Sequence, residues 1–92
     1  MVKELRIHEN SIRDKGANAF AAVLRTNATL QVLVLDDNFI GTEGAVAMAE
    51  ALTINLALMT LKMGGANNFD QDSKSKLRDA AKGRRSRLQL IF

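Results

Sequence analysis

LQVLVLDDNFIGTEGAVAMAEALTIN, residues 30–55, is the stretch from which the fold can be read. It opens on Leu30, Leu33 and Leu35, reaches Asn38 and Ile40, and passes Gly44 into an Ala-rich run that ends near Leu52. Moved back by 28 positions, it meets itself. Leu33 falls on Leu5, Leu35 on Ile7, Asn38 on Asn10, Ile40 on Ile12, Gly44 on Gly16, Ala49 on Ala21, Leu52 on Leu24 and Asn55 on Asn27. Eight matches at one offset define an internal repeat, and a period in this range is the mark of stacked supersecondary units.

Each unit has two halves with different periods. Leu33 and Leu35 alternate with Val34, so a short strand would put the leucines on one face and the valine on the other. Across Thr42–Asn55, Ala45, Met48, Ala49 and Leu52 recur at helical spacing and make a narrow apolar stripe. Ala17, Ala21, Ala45 and Ala49 are small enough for helix and strand layers to approach closely. Asn38, at the strand's end, is placed to satisfy backbone groups of neighbouring turns with its amide. One unit cannot bury its apolar face alone, whereas a stack can.

The pattern L-x-x-L-x-L-x-x-N-x-I-x-x-x-G, continued by an apolar helix and a closing Asn, resembles the leucine-rich repeat of the ribonuclease-inhibitor type. That resemblance implies an α/β solenoid, with short parallel strands on the concave side and helices on the convex side. It covers the chain as about three 28-residue repeats: 2–29, 30–57 and a degenerate capping repeat, 58–92, that ends in a partial last strand. All 92 residues then form a single domain, read as a section of a longer protein because Val2, Leu5 and Ile7 start the first strand almost at once.

In the first unit, Asp14 is the expected N-cap of a helix to about Thr26, with Phe20, Ala21 and Leu24 inward. Thr42 is the expected cap of the second helix. The third unit departs from the pattern. Leu58, Leu61 and Met63 keep the strand, but Gly64 and Gly65 replace Asp36 and Asp37, and Asn67 arrives one residue late. With that insertion Phe69 takes the place of Ile40. Asp72 or Ser73 would cap a helix to about Lys82, with Leu77, Ala80 and Ala81 as its apolar side and Gly83 as its stop. In the closing strand, the sequence leaves open whether Leu88 and Leu90 or Leu90 and Phe92 point inward.

Composition narrows the function classes. No Cys is present, which removes disulfides, thiolate metal sites and a Cys nucleophile. Aromatics make up 4% of the chain, without Trp or Tyr, too few for a base-stacking platform. There is no apolar run long enough to span a bilayer and no signal-like leader, so an intracellular, cytoplasmic setting is expected. The net charge of +3 is unevenly placed: residues 1–61 hold five basic against seven acidic side chains, and residues 62–92 hold eight against three. A terminal repeat that shows solvent a polar face accounts for the basic end.

Catalysis finds little footing. His8 is the one His, equivalent to Asp36 one strand away, and stacked strands lie about 4.8 Å apart. With Glu9 and Asp37 they could suggest a relay or a metal site, but no third ligand or nucleophile is evident, and the group reads as a solvated surface pair. Gly41–Gly44 lacks the Lys of a phosphate-binding loop and repeats the turn at Gly16. No enzyme activity, catalytic residue, metal or cofactor is expected.

What is left is surface. By the resemblance, residues between the inward leucines line the concave face, which gives the rows Glu4–Val32–Thr60, Arg6–Val34–Lys62 and His8–Asp36–Gly64. The candidate partner-binding residues are therefore Glu4, Arg6, His8, Val32, Val34, Asp36, Thr60 and Lys62. A mixed face of this kind suits a protein partner better than nucleic acid, which would draw a consistent run of Arg and Lys.

The expected function is a protein-interaction module, as in the repeat regions of NOD-like receptors. Within that class, a tropomodulin-like repeat domain that binds actin is the alternative. Two other readings come from different classes. One is a GTPase-activating scaffold of the Ran type, which uses the same repeat. The other is electrostatic binding of nucleic acid or acidic membrane through Lys74, Lys76, Arg78, Lys82, Arg84, Arg85 and Arg87. Weak self-association through the N-terminal edge strand is also expected, since Lys3, Glu4 and Arg6 protect it only in part.

Overall fold

The computed structural model describes residues 3–7, 10–84 and 86–92. Four three-residue strands, β1 (Glu4–Arg6), β2 (Val32–Val34), β3 (Thr60–Lys62) and β4 (Gln89–Ile91), alternate with the helices α1 (Arg13–Leu24), α2 (Thr42–Ile54) and α3 (Gln71–Lys82). The strands form one parallel sheet in the order β1-β2-β3-β4, and α1 packs on α2 and α2 on α3 in a second layer. This is the α/β leucine-rich repeat solenoid read from the sequence.

The register follows the repeat. Leu5 sits opposite Leu33, Leu33 opposite Leu61, and Leu61 opposite Leu90. The repeat period is therefore 28 residues for the first two steps and 29 for the last. The extra residue is the one that displaces Asn67. Leu33 and Leu61 are fully buried, and Leu5 and Leu90, on the outer strands, are half-buried. In the last strand Leu88, Leu90 and Phe92 all pack against the core, so the choice between two pairs resolves into one alternating set.

Helix burial reflects position in the stack. The middle helix buries Gly44, Ala45, Met48, Ala49, Ala51 and Leu52. α1 buries Ala17, Ala21 and Leu24, and α3 buries Ser73, Leu77 and Ala80. A helix flanked on both sides needs apolar or small residues over a wide arc, and an outer one needs only a stripe. Burying each of these leucines contributes about 1.5–3 kcal/mol.

The helix caps differ from the sequence expectation. Asp14 lies inside α1 and does not cap it; its Oδ1 accepts Gly41 N at 2.7 Å and Gly44 N at 2.9 Å, across to the start of α2. The N-cap of α2 is Gly41, not Thr42, and has no capping side chain of its own. The N-cap of α3 is Asp70, not Asp72 or Ser73, and its Oδ1 accepts Ser73 N at 2.8 Å. A capping carboxylate must reach N–H groups that still lack partners: for Asp14 these belong to the next unit, and for Asp70 to the first turn of its own helix.

Asparagine ladders tie the turns together. Asn38 Nδ2 donates to Ile7 O at 2.5 Å and Asp36 O at 3.2 Å, and its Oδ1 accepts Asn10 N at 3.1 Å. Asn67 does the same one unit on, donating to Leu35 O at 3.0 Å and Gly64 O at 2.9 Å and accepting from Ile40 N at 2.9 Å. A second ladder runs at the helix ends. Asn55 Nδ2 donates to Leu24 O at 2.8 Å and Asn27 O at 2.9 Å. Arg84 closes that ladder by donating Nε and Nη2 to Asn55 O and Nη1 to Leu58 O, at 3.0, 2.6 and 2.9 Å.

The glycines of the third turn are required by contact. A Cβ on Gly64 would collide with the backbone of Phe92. Gly65 has φ +65°, and a Cβ there would meet the carboxylate of Asp37. Asp36 Oδ1 accepts Gly64 N at 2.6 Å, and Asp37 Oδ1 accepts Ala66 N at 2.6 Å. The two acids of the second turn thus hold the backbone of the third.

Candidate protein-binding surface

Strand pairing assembles the rows predicted for the concave face. Glu4 stands beside Val32, then Thr60, then Gln89; Arg6 stands beside Val34, then Lys62, then Ile91. The candidates His8 and Glu9, and Val2 with them, lie outside the described residues. Asp36 continues the third row toward Gly64, to whose N–H it is bonded.

Much of this face is internally engaged. Arg6 Nε donates to Glu4 Oε1 at 2.7 Å, and both side chains are well exposed. Lys62 Nζ lies 3.9 Å from Asp36 Oδ2. Exposed pairs of this type contribute about 0–1 kcal/mol and rearrange readily, so they can exchange partners on docking. Val34 is the least exposed of the described candidates. It is 4% exposed, yet it stands outside the main core cluster built by Leu33 and Leu35. Val32 and Thr60 are half-buried.

The basic C-terminal cluster does not form one free patch. Arg84 is buried and holds backbone carbonyls. Its guanidinium is pulled below its ordinary pKa by that burial, yet it stays cationic at neutral pH because an arginine has a wide margin. Lys74 Nζ and Arg78 Cζ sit 5.9 and 5.1 Å from the Phe92 ring centroid, a cation–π arrangement. Lys76 pairs with Asp72 at 3.2 Å. Arg85 lies outside the described residues.

Toward the N-terminal edge, Ala21 and Leu24, expected inward, are 3% and 1% exposed and lie in the core cluster. Phe20, expected with them, is half-buried.

Sequence reasoning passed over another group. Ile54, Leu56 and Met59, between the helix end of α2 and the start of β3, are more than half exposed. The signal was there: they alternate around Asn55 and Leu58, which the repeat needs inside. Among the described residues, no cluster of three His, Cys, Asp or Glu could hold a metal ion, and no helix is long and apolar enough to cross a membrane.

A leucine-rich repeat family model matches residues 26–49. The solved structure of Leiomodin-1 actin-binding site 2 superposes with a TM-score of 0.88 at 26% identity, over 97% of this chain and 52% of that one. The fold is that of a leucine-rich repeat protein. No curated protein sequence matches this chain, which spans about half the length of the leiomodin structure.

Proposed function

We propose that this chain is an intracellular protein-binding module, without enzymatic activity, whose partner is actin. One observation carries the reading: nearly the whole chain, 97%, superposes on a domain whose name records an actin-binding site. A likeness spanning the strands, the helices and the altered last repeat supports more than a shared repeat unit. The exposed strand face offers Glu4, Arg6, Thr60 and Lys62, with Val32 between them, as contact residues. Their ion pairs are loose enough to re-form across an interface.

Co-sedimentation with filamentous actin and a fluorescence titration with monomeric actin test the proposal. Saturable binding to either form supports it, and absence of binding to both at tens of micromolar chain refutes it. Charge reversal at Arg6 and Lys62 together should weaken binding at least tenfold if the strand face is the contact. Unchanged affinity would remove that face and leave the partner in place.

A further inference from the structure

The rim where helices end and strands begin carries a surface that neither the repeat nor the strand face explains. Ile54 ends α2, and Leu56 and Met59 follow in the loop to β3; they are 52%, 52% and 56% exposed. Polar residues would fit these outward positions equally well, since the packing of the solenoid uses only their neighbours Asn55 and Leu58, which are buried. Grouped exposed apolar side chains of this size mark contact surfaces.

Shape and charge define what the rim accepts. A cleft of about 420 Å³ lies between the α1–β2 and α2–β3 loops, and Ile54 and Leu56 line it together with Arg25. On the far side of the same loop Met59 and Arg87 line a second hollow. Arg25 reaches Glu50 only at 3.5 Å, with both side chains largely exposed. Arg87 is exposed and has no ion pair among the described residues. An apolar ridge with an arginine on either side calls for an occupant that is apolar at its centre and acidic at its flanks.

We infer that this rim docks an acidic protein segment that seats an apolar side chain in the cleft between the α1–β2 and α2–β3 loops. The inference rests on the reading that actin is the partner, and it adds a contact region separate from the strand face. A lipid surface would accept the apolar side chains but leave the cleft unfilled, whereas a protruding side chain of a folded partner fills it.

The experiment is a titration of the full chain with actin, using two variants, Ile54→Ser with Leu56→Ser and Arg25→Glu with Arg87→Glu. Thermal melts confirm that both fold, and the second pair alters no apolar residue. Each pair should weaken actin binding at least tenfold, and added salt should weaken the wild type but have less effect on the charge-reversed variant. If either pair leaves the affinity within twofold of wild type, the rim inference is overturned while the actin reading stands. If the wild type does not bind actin, both fall. Association with phosphatidylserine vesicles through these residues, with actin binding untouched, also overturns it.

Discussion

The carboxylate of Asp14, in the first turn of α1, accepts the N–H of Gly44 in the first turn of α2 at 2.9 Å. The same oxygen accepts Gly41 N. One side chain therefore caps a helix that begins 28 residues later, and helix capping doubles as a link between repeats.

Asp14→Ala should destabilise the chain by about 0.5–2 kcal/mol, the range for losing a capping carboxylate. Because the cap lies across the α1–α2 interface, the loss should appear as faster amide exchange at residues 42–45 rather than in the first turn of α1. Urea unfolding with hydrogen exchange measures both. Protection lost at 13–16 instead would show that Asp14 caps its own helix.

Leu33→Ala and Leu52→Ala should each cost about 2–5 kcal/mol, since both side chains are fully buried. Val34→Ala should cost less, about 1–2 kcal/mol, for two lost methyl groups at a site that is buried but outside the main core cluster. Chemical denaturation of the three variants tests this. A negligible effect at Val34 would return it to the exposed face.

Arg84→Ala should cost about 1–3 kcal/mol or more, because it strands the carbonyls of Asn55 and Leu58. Arg84→Lys should recover little of it, since an ammonium cannot reproduce the planar fork. Full recovery with Lys would mean that charge alone matters there.

Gly65→Ala should cost about 1–3 kcal/mol, from a side chain placed at positive φ, and more while Asp37 stands in the way of the new Cβ. Adding Asp37→Ala relieves the collision but also removes the acceptor for Ala66 N. The pair should therefore be non-additive in unfolding measurements. Strict additivity would place the two residues apart.

Asp70 gives the chain a pH-dependent cap. The Ser73 N–H holds its carboxyl below the ordinary carboxylate range. A folded pKa below the unfolded one means that the stabilisation is complete above the unfolded value, about 4, and is lost as pH falls through the folded value. Melting temperature should therefore fall on acidification from roughly pH 5, less steeply in Asp70→Asn. Parallel curves for the two proteins would show that other carboxylates set the acid limb.

The sequence by itself determined the solenoid, because the repeat writes its geometry locally. The inward leucines of three strands, the strand-end asparagine ladder of Asn38 and the one-residue insertion before Asn67 were all legible, and the pairing of Leu61 with Leu90 confirms the shift. The rows of the strand face followed from the same register, as Glu4 beside Val32 shows. The tertiary structure decided everything that depends on which unit a polar group faces. Asp14 reads in sequence as a local cap, yet it lies inside α1 and the N–H groups it finds belong to α2. Arg84 looks like one more surface cation, but it replaces an asparagine at the end of a ladder. Val34 alternates outward from Leu33 and is still covered. Periodicity records the direction of a side chain within its own strand or helix, and burial and hydrogen bonding depend on what the neighbouring repeat brings to the same place.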